Sequence, residues 1–140
     1  MLRVFLFYLL LFAVVVIAFR RGDRETRFAG LTALVATLLS AASVTLLGAG
    51  EPVETAVALV DLAVLALFVA IALRSYRFWP LWVSGLQLTT VIAHVLRILN
   101  PDLVDIAYQT AMRFWSYPIL LIIAAAALRT RRYRLEPQAA

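Results

Sequence analysis

Apolar residues along this chain gather into five long runs separated by short polar breaks. A hydrocarbon core about 30 Å thick takes about 20 helical residues to cross. The runs cover residues 2–19, 28–47, 53–73, 78–99 and 103–128. Arg3 alone interrupts the first, and the second carries no charge. Glu54 and Asp61 lie in the third, His94 and Arg97 toward the end of the fourth, and Asp105 and Arg113 in the first half of the fifth. Membrane β-strands would be shorter and would alternate strictly. The pattern predicts an all-α, polytopic bundle of five transmembrane helices forming a single membrane domain, with a basic tail at 129–140.

The fifth run is the longest, about 39 Å of helix at about 1.5 Å per residue. Its crossing is expected to begin near Tyr108; alternatively, residues 102–112 lie at the surface as an amphipathic helix. Phe114, Trp115 and Tyr117 suit an interfacial aromatic belt, and Pro118 suits a bend.

Composition removes whole classes of function. Hydrophobic residues make up 64% of the 140 and charged residues 15%, against about 45–50% and about 25% in soluble domains. That excludes a soluble enzyme, and disorder fails for the same reason. Cysteine is absent, which removes thiol chemistry and iron–sulfur ligation, and one histidine with no HExxH-type cluster argues against a protein-only zinc site. No phosphate-binding loop, dinucleotide turn, nucleophile elbow or paired-histidine motif occurs. The expectation is a chain that is not an enzyme and carries no metal or cofactor. His94 as an axial ligand to a haem or pigment would require a second copy or another protein.

All 13 basic residues are arginine, which, with the Ala/Leu/Val-rich runs, hints at a GC-rich bacterial genome. The net charge of +5 does not point to nucleic acid, because most arginines cluster at the ends of apolar runs. Arg20, Arg21, Arg24 and Arg27 follow the first run, Arg74 and Arg77 the third, and Arg129, Arg131, Arg132 and Arg134 the fifth. The turns at 48–52 and 100–102 have no basic residue. Basic loops stay in the cytoplasm, so the reading is N-terminus periplasmic and C-terminus cytoplasmic in a bacterial inner membrane. Arg20, Arg21, Arg74, Arg77, Arg129, Arg131 and Arg132 are the expected lipid-headgroup anchors. The first run reads as a retained span, since a signal peptide has the opposite charge order and a small-residue cleavage site.

In lipid the hydrophobic effect does not press helices together, so close packing and polar contacts must. Ala29, Ala33, Thr37, Ala41 and Thr45 recur every fourth residue of the second run and form an expected packing face. Ala56, Ala63, Ala66 and Ala70 offer another on the third, which suggests a tight hairpin across residues 48–52. Tyr76, Trp79 and Trp82 beside Arg74 and Arg77 suit an interfacial anchor.

Polar residues within the runs are also co-facial. Gln87, Thr90, His94 and Arg97 fall three, four and three apart, and Asp105, Gln109, Arg113 and Ser116 follow similar spacing. Glu54 and Asp61 are seven apart. An ionised group facing lipid costs at least about 2.5–3.5 kcal/mol at mid-membrane, so these faces should converge. Depth pairs Asp61 with Arg113, brings Arg97 to Asp105 or Glu54, leaves Gln87 to find a partner across the bundle, and puts His94 between the two ion pairs. Such a cluster is either interhelical glue or a site facing the outer aqueous side, as a proton relay or a pocket for a small anion or polar headgroup. The expected function is a non-catalytic accessory or assembly subunit, bound to other membrane subunits or to itself; the alternative is a small transporter or proton- or ion-conducting oligomer.

Overall fold

A computed structural model of the protein describes the backbone of residues 2–48, 50–100 and 105–135, and side chains for all of these except residues 3, 51, 105–113 and 131–135. The described residues form five helices, α1 (Leu2–Arg21), α2 (Arg24–Leu47), α3 (Glu51–Arg74), α4 (Trp79–Leu99) and α5 (Asp105–Leu135). Four of them contain stretches long and apolar enough to cross a membrane, Val4–Arg21, Arg24–Leu47, Pro52–Arg74 and Trp79–Leu99, and Phe114–Thr130 is a shorter apolar stretch of α5.

Local chemistry places the breaks. Asp23 caps α2, its side chain accepting from the Thr26 amide, so that helix starts before its apolar run does. Gly48 ends α2 with φ 75°, a left-handed conformation that only glycine adopts without a Cβ clash. Pro52 and Pro80 occupy the first turns of α3 and α4, where a missing N–H costs nothing. Pro118 lies inside α5, and the helix runs through it and on to Leu135. The region expected to be a basic tail is therefore helical as far as Leu135. Whether residues 102–112 cross the membrane or lie along its surface concerns residues at or beyond the edge of those described.

Helices α2, α3, α4 and α5 pack in a closed four-membered cycle, each against the next, and α1 lies against α2 and α5. The core joins Leu11 and Val14 of α1, Ala29 of α2, Val64 and Phe68 of α3, Val83 of α4, and Ile119, Leu120 and Ile123 of α5. A Cβ on Gly30 would lie 3.4 Å from the Ala18 Cβ, so α1 and α2 approach closely there. Phe7 meets Tyr117 edge-on at 5.7 Å, tying α1 to α5. The Trp79 indole N–H is buried with no acceptor among the described residues.

Hydroxyl groups within the apolar stretches are satisfied by their own helices. Thr32, Thr37, Ser43, Ser84, Thr89 and Thr90 each donate to the carbonyl four residues earlier. That keeps them compatible with lipid, where an unmade hydrogen bond is expensive. On the expected packing face of α2, Ala29 is buried, Ala33, Thr37 and Ala41 are half-buried and Thr45 is exposed. On α3, Ala56 and Ala70 are half-buried, whereas Ala63 and Ala66 point outward. Ala63 and Ala66 are therefore not buried in the α2–α3 contact.

Candidate functional site

Two polar assemblies join the helices, one between α3 and α4 and one where the arginine-bearing helix ends meet. The first arises because Asp61 lies about 15 Å along α3 from Glu51, at about 1.5 Å per residue, in a stretch otherwise apolar. An isolated carboxylate there would be costly. The antiparallel helix α4 presents Gln87, Thr90, His94 and Arg97 along one face, and α3 packs against it. Gln87 Nε2 donates to Asp61 Oδ1 at 3.0 Å and to the Asp61 backbone carbonyl at 3.2 Å. His94 Nε2 lies 2.8 Å from Asp61 Oδ2. Each carboxylate oxygen thus faces a different α4 side chain. Gln87 is buried, and the His94 and Asp61 side chains are only 12% and 21% exposed, so water competes little for these bonds. Thr90, between them in sequence, is buried and bonds its own helix.

Toward the free end of the hairpin, Arg97 Nε and Nη2 donate to the two oxygens of Glu54 at 3.0 and 2.8 Å, a forked pairing that fixes orientation as well as charge. The Glu54 side chain is 47% exposed, so solvent screens the pair and its contribution is small. Glu54→Gln is expected to lower stability by less than about 1 kcal/mol, read from unfolding of the detergent-solubilised protein; a larger loss would show that the pair anchors the hairpin.

The structure thus brings Asp61, Gln87 and His94 together and gives Arg97 to Glu54. The side chains of Asp105, Gln109 and Arg113 lie outside those described, and so does the expected Asp61–Arg113 pair. Asp61 faces α4, whose Gln87 and His94 bond its carboxylate.

The second assembly was not anticipated from sequence. Arg77, in the α3–α4 connection, places Nη1 2.7 Å from Asp23 Oδ2 and donates to Thr130 Oγ1 at 3.0 Å. Ser75 Oγ donates to Glu25 Oε2 at 2.8 Å and accepts from the Arg77 amide at 3.1 Å. Thr26, fully buried, donates its hydroxyl to Asp23 Oδ1 at 2.8 Å. Asp23 thereby caps α2 with one oxygen and holds Arg77 with the other. Both connections at this end, and the far part of α5, are joined by one guanidinium. Arg77, expected to face lipid headgroups, is exposed and also has these protein partners; Arg20, Arg21, Arg74 and Arg129 are exposed as well. The side chains of Arg131 and Arg132 lie outside those described. The sequence signal was present: an Asp one residue before an apolar helix is a capping residue, and an acid inside an arginine run has a choice of cations.

Among the described residues no group of three metal-ligating side chains occurs. Comparison with known families, curated proteins and solved structures gives no match.

Proposed function

We propose that this chain is a small integral membrane protein that acts as a non-catalytic accessory or assembly subunit, in a larger membrane complex or in an oligomer of itself. Its five helices would cross a bacterial inner membrane with the arginine-bearing end in the cytoplasm, the arrangement favoured by the charge asymmetry of the connections. The observation that carries this reading is the state of the intramembrane carboxylate. Both Asp61 oxygens are engaged by α4, and both Glu54 oxygens are engaged by Arg97, so the acids between these helices serve to join them. The outward-facing Ala63 and Ala66 of α3 add a surface on which another helix can approach closely.

A second reading has one specific observation in its favour. The 2.8 Å contact between His94 and Asp61 joins two groups that can exchange a proton, as a proton- or ion-conducting oligomer requires. Reconstitution separates the two. As an accessory subunit, the chain leaves vesicle ion permeability at the level of empty vesicles by a trapped pH dye, and leaves native membranes in mild detergent with a stoichiometric partner or as a defined oligomer. Proton flux that depends on pH, and that Asp61→Asn abolishes while the bundle stays folded, would replace this proposal with the conducting one.

A further inference from the structure

The segment joining α1 to α2 alternates charge: Arg20, Arg21, Asp23, Arg24, Glu25 and Arg27. Spacing alone would let the acids neutralise their neighbours, because Asp23 and Arg27 are four apart, as are Arg21 and Glu25. The structure does otherwise. Asp23 is spent on the α2 cap and Arg77, and Glu25 accepts from Ser75. Arg20, Arg21, Arg24 and Arg27 are all exposed, and none has a carboxylate within ion-pair distance among the described residues. Four guanidiniums, two in the last turn of α1 and two in the first turn of α2, are left exposed.

Their surroundings select the partner. Phe19 precedes Arg20 and is 47% exposed; Phe28 follows Arg27 and is 58% exposed. The basic surface is therefore bordered on both helices by aromatic side chains at the edge of the apolar stretches. A ligand that fits has phosphate at one end and hydrocarbon at the other. A soluble anion or a nucleic acid uses only the guanidiniums, and a second copy of this surface is repelled by charge of the same sign.

We propose that Arg20, Arg21, Arg24 and Arg27 form a binding surface for anionic phospholipid headgroups, left un-neutralised because Asp23 is clasped by Arg77 and Glu25 is held by Ser75. The proposal needs the bundle to lie in a membrane; it is independent of the accessory role.

The test uses the full chain in mixed micelles of neutral detergent with phosphatidylglycerol and phosphatidylcholine, with retained lipid counted by native mass spectrometry. Phosphatidylglycerol is retained preferentially. Replacing Arg20, Arg21, Arg24 and Arg27 together by Gln weakens that preference, at roughly fivefold in affinity per guanidinium, while the exposed Arg74 and Arg129 stay in place. These side chains have no partner among the described residues, so an unchanged melting temperature certifies the fold. Asp23→Asn weakens the clasp yet keeps the preference, because the four arginines remain. Equal retention of the two lipids, an unaltered preference in the quadruple variant, or displacement by inorganic phosphate or a short oligonucleotide as effective as by phosphatidylglycerol overturns the proposal. A chain that loses the preference while still requiring detergent for solubility leaves its membrane placement standing.

Discussion

Asp61→Ala is expected to destabilise the bundle by about 2–3 kcal/mol. Two interhelical bonds vanish at once, those from Gln87 and His94. Measured bonds of this kind in membranes average about 0.6 kcal/mol and reach about 1.7, so the bonds alone supply only part of the loss. The remainder comes from the donors left behind: an unsatisfied buried polar group costs about 1–3 kcal/mol. Gln87 keeps its bond to the backbone carbonyl of residue 61, and the modest exposure of His94 moderates the penalty on the imidazole. Asp61→Asn keeps one acceptor and one donor facing α4 and should cost less than about 1 kcal/mol. Equilibrium unfolding in mixed micelles, with the ionic detergent fraction varied, reads both. A double-mutant cycle of Asp61→Ala with His94→Ala should show coupling, as contacting residues do. An Asp61→Ala variant as stable as the parent would mean that the carboxylate does not hold the hairpin.

Gly22→Ala should cost about 1–3 kcal/mol. Gly22 is buried between α1 and α2, and an added Cβ would collide with Thr26 Oγ1 and with the Ala18 carbonyl oxygen. Neither obstacle moves freely. The carbonyl belongs to the last turn of α1 and accepts from the Gly22 amide at 3.0 Å. The Thr26 hydroxyl is bonded to Asp23, so turning it aside disturbs the α2 cap and the acid that holds Arg77. Gly85→Ala is the control, because a Cβ there meets nothing within 4 Å; replacing a mid-helix glycine should leave stability unchanged or raise it by up to about 1 kcal/mol. Equal responses at the two glycines would sink the steric account.

The helical architecture was legible because run length and membrane thickness constrain each other: each apolar run has one helix over most of its length. The α3–α4 site was partly legible. A three- and four-residue spacing put Gln87, His94 and Arg97 on one face, and depth put Glu54 within reach of Arg97. Depth alone could not orient Asp61, because a carboxylate at a given height can face either helix beside it. The small-residue rule offered Ala63 and Ala66 as packing residues, and they are exposed; alanine is as compatible with lipid as with a neighbouring backbone, so its periodicity does not name the face. The Arg77 clasp was hidden for a different reason. Its members are 53 and 54 residues apart in sequence, Arg77 to Thr130 and Asp23 to Arg77, and the charge pattern of the first connection suggests local pairs instead.

Packing of α1 against α5 has a bearing on biosynthesis. A helix inserted early finds only α2 as a lasting neighbour while three further segments are translated. The pocket that receives Leu11 and Val14 is finished by Ile119, Leu120 and Ile123, which emerge from the ribosome about a hundred residues later. Docking of α1 therefore waits for α5, and a nascent chain stalled before that point leaves α1 half-docked, exposed to capture by membrane insertion factors or quality-control proteases.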